Sequence, residues 1–284
     1  MIGNWNGRRT VNHVMFAISG ACAITAVGVL VFILGYLTWQ GGSALRWSFF
    51  TMASAPPGEG GGIAHAIAGS SLILMLSALG GIPIAFAAAL YLAEFGGETT
   101  TSMVRYSLDV LNGVPSIVLG IFVYLVVVVP IHHFSAVAGA CALSLIFIPV
   151  SVRAAEQALR AVPGTLREGA LALGVSRWKA VMTVVVPAAL PGILTAILLS
   201  MARIAGETAP LLFTSLNSQF HNSGWDQPTA SLPVVIFTYA ISPYEEWRRQ
   251  AWAAALVLLF LVLLVNAVCR VTASGRVFQG RNHI

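Results

Sequence analysis

Arg203 and Glu207 stand four residues apart in an otherwise apolar run from Leu190 to Phe213. A charge at the centre of a bilayer costs at least about 2.5–3.5 kcal/mol, so such a residue must face protein or water. A guanidinium meets an oxyanion with two parallel hydrogen bonds. On a continuous helix the two side chains point the same way, one turn apart. Two uses follow. Either the pair is self-neutralising and fastens helices, or Glu207 steadies an arginine that lines a pathway and is offered to a passing oxyanion. A second apolar run opens with Asn112-Gly113-Val114-Pro115-Ser116. Asn112 and Ser116 fall on one helical face and offer neutral hydrogen bonds. Glycine and proline there break the helical ladder, which at membrane depth is tolerated where protein or a water-filled cavity satisfies the backbone. The run reads either as the wall of such a cavity or as a plain packing kink.

A third stretch, residues 163–187, carries Arg167, Arg177 and Lys179 between two long apolar runs. Thr165 and Glu168 have capping-box spacing, which predicts a helix starting at Thr165. Leu166, Ala170 and Leu173 give that helix one apolar face. Gly174 is placed to end it in the left-handed cap conformation. Ser176 can cap a second short helix, which Pro187 interrupts. The expected product is a helix, a sharp corner and another helix beside a membrane, a shape suited to a groove on a partner. An ordinary amphipathic loop is the plainer alternative.

These residues must be held by spanning helices. The chain has 284 residues, of which 57% are hydrophobic and only 9% charged, and its mean hydropathy is +0.85. Soluble domains carry about 25% charge, so this composition is that of an integral membrane protein. The apolar runs are long enough for helices and predict six spans: Val14–Trp39, Ile63–Leu92, Val110–Val129, Phe134–Val152, Leu190–Phe213 and Ala251–Val268. The first run is too long for a signal-peptide core and reads as a retained span. Gly81, Ala85 and Ala89 repeat every fourth residue in the second span and invite close helix approach.

With both termini inside, eleven of the fifteen Lys and Arg fall on the inner side. Three (Arg46, Arg248, Arg249) fall outside and Arg203 lies within a span. That bias sets the orientation, and it accounts for the net charge of +5 without nucleic acid. Arg105 and Asp109 are spaced to pair on one helix. Cys22, Cys141 and Cys269 fall in or at the end of spans and read as small hydrophobes. No phosphate-binding Gly-rich loop, metal-ligand spacing or nucleophile motif occurs, so neither a catalytic residue nor a metal site is expected.

The 163–187 stretch resembles the coupling loop of ABC importer permeases, whose pattern is Glu-Ala-Ala, three residues, Gly, nine residues, Ile, one residue, Leu-Pro. Glu168, Ala170, Gly174 and Pro187 fall on it; Gly169 replaces the first alanine, and Val184 and Val186 replace the isoleucine and leucine. The run Asn112–Phe122 resembles the corresponding segment of phosphate importer permeases. So does Ala-Arg-Ile-Ala-Gly-Glu-Thr-Ala-Pro-Leu-Leu-Phe-Thr at 202–214, continued by Ala-Ser-Leu-Pro-Val at 230–234 and Ser-Pro-Tyr at 242–244. The resemblance covers roughly residues 60–270.

It implies an all-α polytopic membrane protein of type I ABC importer permease fold. Six transmembrane helices are expected, with a cytoplasmic coupling helix between spans four and five. Residues 1–59 would hold an N-terminal cytoplasmic tail, a peripheral first helix and an external loop. Residues 60–272 would form a five-helix core, and 273–284 a basic cytoplasmic tail. The implied pathway residues are Arg203, Glu207, Asn112 and Ser116; the implied ATPase-coupling residues are Thr165, Glu168, Gly169, Ala170, Gly174 and Pro187. The implied partners are a sister permease subunit, an ATP-binding subunit dimer and an external phosphate-binding protein. The implied solute is inorganic phosphate and the implied place the bacterial cytoplasmic (inner) membrane. No cofactor is expected on this chain; ATP and Mg belong to the partner ATPase. The rival readings are a permease for another oxyanion such as sulfate or molybdate, and a stand-alone channel or secondary transporter.

Overall fold

The computed structural model describes residues 5–220 and 224–279, and every regular element among them is helical. The end of the expected basic tail, with Arg281, lies outside the described residues. In chain order the helices are α1 (Trp5–Gly41), α2 (Trp47–Thr51) and α3 (Ala64–Leu90), which a π turn carries on to Phe95. Next come α4 (Glu98–Gly113) and α5 (Ser116–Val123); a π turn over Tyr124–Val128 joins α5 to α6 (Val129–Ile131). They are followed by α7 (Ala136–Arg160), α8 (Gly164–Ala172) and α9 (Arg177–Ala180). A π turn over Val181–Val185 joins α9 to α10 (Val186–Ile204); α11 (Ala209–Thr214), α12 (Leu232–Ala240) and α13 (Glu245–Gln279) complete the chain.

Five segments are long and apolar enough to cross a membrane: Arg9–Ala44, Ala64–Phe95, Ala136–Arg160, Arg177–Ile204 and Glu245–Val268. A sixth arises only if Glu98–Gly113 and Ser116–Ile131, bent by 98° at their junction, count as one broken span. The expected third span, Val110–Val129, is therefore two helices, because Pro115 withholds an N–H and disfavours helical backbone at Val114. The expected fifth span, Leu190–Phe213, is also moved. It starts at Arg177, because the π turn directly before Val186-Pro187 lets the chain stay helical past the proline. It stops at Ile204.

α7 is the hub. In the most apolar 18-residue stretch of its span 61% of residues are buried, against 28% in the corresponding stretches of the α3 and α10 spans and none in that of α1. Its Leu143, Ile146, Phe147 and Val152 meet Ile73 and Ala85 of α3, and Ile193 and Ile204 of α10, in the main core. Gly81, Ala85 and Ala89 are all buried, and a Cβ on Gly81 would stand 2.7 Å from the Phe147 ring. The close approach expected of the small residues is thus realised against α7. The N-terminal N–H groups of α7 need acceptors. Ala136 and Val137 donate to the carbonyls of Gln227 and Trp225, both at 3.2 Å, and the Ser135 hydroxyl accepts from Ala138 at 3.1 Å. A second cluster, including Phe49, Ile63, Tyr239 and Ala253, closes the end opposite α8. α1 packs on α13, with Tyr36 edge-on to Trp252 at 5.4 Å and Gly41 against the Ala253 backbone.

Gly120 shows how tightly α5 meets α11. A Cβ there would sit 2.5 Å from Pro210 Cα, and backbone cannot rotate aside. Gly120→Ala is expected to destabilise the chain by about 1–3 kcal/mol through overpacking, seen as a lower melting temperature in detergent. Gly113→Ala, where an added methyl meets nothing within 4 Å, serves as the control and should melt like the parent.

Candidate functional site

Asn112, Ser116, Arg203 and Glu207 line one cavity of about 310 Å³, with Gly113, Val114, Pro115 and Leu119 at the α4–α5 break and Ile146 and Pro149 of α7. That volume is at the small end of the ~300–1,000 Å³ typical of small-molecule sites. The cavity is a cleft rather than a closed chamber, since Asn112, Gly113, Pro115 and Arg203 are exposed. Pro149 lies about midway along α7, so the cleft sits at mid-depth of the bundle.

Each wall has a local cause. Asn112 and Gly113 end α4; Pro115 is the N-cap residue of α5 and puts Ser116 at the first helical position. Arg203 occupies the last turn of α10, where a cation is favoured by the helix dipole. The helix then tightens, with the Glu207 N–H bonding to the Ile204 carbonyl at 3.1 Å, before α11 starts at Ala209-Pro210. Pro210 has no N–H to bond back to the Gly206 carbonyl and suits the first turn of the new helix, and Gly206 favours the break. Glu207 is consequently not stacked one helical turn above Arg203. Among the described residues neither side chain forms an ion pair, so the expected Arg203–Glu207 pair is absent. Arg203 stands in the cleft with its five N–H donors uncommitted to any of the described residues.

At the end bearing α8, ion pairs tie the elements together. The helix starts one residue earlier than expected: Pro163 is its N-cap, with ψ 136°, and its carbonyl accepts from the Leu166 N–H at 3.2 Å. Thr165 is therefore inside the helix and no capping box with Glu168 forms. Gly174 does end α8, at φ +80°. Val175 N–H bonds the Ala170 carbonyl at 3.3 Å and Gly174 N–H the Leu171 carbonyl at 2.9 Å, the paired bonds of a Schellman cap. Thr165, Glu168, Gly169 and Gly174 are exposed, whereas Ala170 is 9% exposed and turns into its own chain. A methyl on Gly169 would meet nothing within 4 Å, so packing does not account for glycine in place of the pattern's alanine. Pro187 lies past the corner, within the spanning helix, and α9 is the first turn of that helix rather than a separate element.

The anchors of this elbow escaped the sequence reading. Arg167 reaches one carboxylate oxygen of buried Glu94 through Nε at 3.0 Å and Nη2 at 2.7 Å. It also donates to the carbonyls of Val162 at 2.6 Å and Leu159 at 2.8 Å. Arg177 donates to the Glu94 carbonyl and lies over the Phe95 ring. The elbow is thus clamped to the end of α3. Glu156, 3% exposed, gathers Arg105 of α4 and Arg160, which itself reaches the Leu92 carbonyl at 3.1 Å. Arg153 pairs with Asp109. Arg105 and Asp109, spaced to bond each other, each take a partner on α7 instead. One signal for Glu94 was present: a carboxylate at the very end of an apolar run must find a cation, and the basic loop supplies one.

Comparison with known proteins adds a family. Residues 81–274 match the family model described as binding-protein-dependent transport system inner membrane component. The chain is 43% identical over 266 residues to the phosphate transport system permease protein PstA of Yersinia pestis, covering 93% of this chain and 90% of that protein. It is 44% identical over 265 residues to PstA of Xylella fastidiosa (strain Temecula1), covering 93% and 92%. With PstA 1 of Mycobacterium tuberculosis (strain H37Rv) it shares 36% over 283 residues, covering 95% and 90%. Among solved structures, a chain of a bacterial ABC transporter involved in the import of the acidic polysaccharide alginate superposes with a TM-score of 0.59 at 13% identity, over 93% of this chain and 96% of that one. A chain of the MetNI methionine ABC transporter, in an inward-facing form, gives 0.58 at 18% identity, over 75% and 93%. These two likenesses are of fold.

Proposed function

The chain belongs to the family of binding-protein-dependent transport system inner membrane components, and we infer that it is the permease subunit of a phosphate ABC importer. It is a multi-pass membrane protein of type I importer fold that conducts rather than catalyses. One observation carries the reading of the site: Arg203, a cation without an ion-pair partner among the described residues, stands in a cleft at mid-depth beside Asn112 and Ser116. Phosphate presents oxygens to such a fork in two parallel hydrogen bonds. The cleft is open on one side, as expected if a sister permease completes the pathway. Rival readings as a sulfate or molybdate permease, or as a channel working alone, are not favoured by the relatives.

The end bearing α8 holds Arg160, Arg167, Arg177 and Lys179, which by the basic bias is the cytoplasmic side, with both termini there. An ATP-binding subunit dimer, using ATP and Mg, would grip α8. An external phosphate-binding protein would deliver the solute at the other end. Closure of the ATPases displaces the elbow as a rigid body. Glu94 passes that displacement to α3, and the Glu156 cluster passes it to α4 and so to Asn112. Weak binding in the cleft suits transport, because a tight site traps the ion.

A crosslink tests the assembly. Leu173, at the tip of the elbow, is 84% exposed although apolar and lies outside the spans, so it marks the face that meets the ATPase. In the intact complex, Leu173→Cys should form a disulfide with cysteines placed along the ATPase groove, and its yield should change with ATP. Ala170→Cys, turned inward, should react poorly. Equal yields from both positions, or none from Leu173→Cys, would reject this docking.

A further inference from the structure

Building on the reading of the cleft as a phosphate pathway, we propose that Glu207 is its specificity-determining residue: its carboxylate accepts a hydrogen bond from the acidic hydroxyl of a protonated oxyanion while Arg203 holds the unprotonated oxygens. Glu207 lines the same cleft as Arg203, is half-buried, and among the described residues bonds to no cation. Because the helix breaks after Ile204, its charge is not spent on Arg203 and remains available to whatever occupies the cleft.

The other polar groups of the cleft discriminate less. Arg203 only donates, and the neutral Asn112 amide and Ser116 hydroxyl can either donate or accept, so they adapt to any tetrahedral oxyanion. An ionised carboxylate only accepts. Facing a fully deprotonated dianion it presents charge against charge. Facing a P–OH it gains a charge-assisted O–H···O bond. Near neutral pH phosphate and arsenate carry at least one proton, whereas sulfate and molybdate carry none. A site built to bond a hydroxyl rejects the analogue lacking it more strongly than any apolar fit can. One charged, accept-only group beside one uncommitted arginine therefore sorts oxyanions by whether they bear a proton.

The external binding protein sorts anions as well, so the test reads the cleft directly. In the purified complex, with Cys22, Cys141 and Cys269 replaced, Gly113→Cys serves as a reporter; its added Cβ meets nothing within 4 Å. Val114→Cys is the second reporter, on the same wall. Labelling of this chain by a sulfonate-bearing methanethiosulfonate is followed by intact mass while phosphate, arsenate, sulfate or molybdate is titrated. Phosphate and arsenate should protect at concentrations about tenfold or more below sulfate and molybdate, the size of one charged hydrogen bond. Glu207→Gln, which can donate, should bring all four anions within about threefold of one another. Equal protection by all four with Glu207 intact, or a ratio that Glu207→Gln leaves unchanged, overturns this role and leaves the cleft as an anion site. Protection by none of them overturns the cleft itself.

Discussion

Arg203→Gln is expected to lower phosphate uptake by about a hundredfold or more. Two hydrogen bonds to a charged partner are worth about 1.5–3 kcal/mol each, and every 1.4 kcal/mol is tenfold. Arg203→Lys keeps the charge but loses the planar fork, so about a tenfold loss is expected. The measurement is labelled phosphate uptake into cells or proteoliposomes at matched amounts of assembled complex. Because the Arg203 side chain forms no ion pair among the described residues and is exposed, its loss should cost the fold little, within about 0.5 kcal/mol. A parent-like melting curve together with collapsed uptake is the expected pattern. Near-normal uptake at unchanged abundance would remove the arginine from the pathway.

The second large effect is expected at Glu94, far from the cleft. Glu94→Ala leaves the Arg167 guanidinium partly buried without its carboxylate, and breaking a buried pair from one side costs about 3–5 kcal/mol. It also frees the elbow from α3. Coupling should suffer more than assembly: ATP hydrolysis continues while phosphate moved per ATP falls by about tenfold, the same scale as a lost charged hydrogen bond. Stability loss alone does not change that ratio among surviving complexes. A double-mutant cycle with Arg167→Ala makes the claim specific. The two substitutions should be strongly non-additive, since they dismantle one contact. Additive losses in the transport-to-hydrolysis ratio would show that the pair does not carry the motion.

The failed expectations share a cause. The capping box at Thr165 and Glu168, the Arg105–Asp109 pair and the Arg203–Glu207 pair were all inferred from spacing along one helix. Each assumed that a helix starts, continues or bonds within itself. Pro163 starts α8 on its own backbone, Arg105 and Asp109 reach Glu156 and Arg153 on α7, and α10 stops at Ile204, before Glu207 could stack over Arg203. The break at Gly113–Pro115 and the cap at Gly174 were read correctly, because a proline's fixed φ and a glycine's left-handed freedom act within one or two residues.

By itself the sequence determined the class of molecule: a helical membrane chain with basic residues gathered at one end, an elbow closed by Gly174, and a lone arginine in an apolar run. Those properties depend on composition and on neighbours within a turn or two, so local chemistry decides them. Only the tertiary structure decided which charges meet. Glu94 finds Arg167 seventy-three positions away, Glu156 finds Arg105 fifty-one away, and Asn112 and Ser116 come to share a cleft with Arg203 and Glu207. The physical reason is that a buried charge takes whichever opposite charge the packed helices bring within reach, and α7, α3 and α10 set that reach through contacts that sequence spacing does not encode.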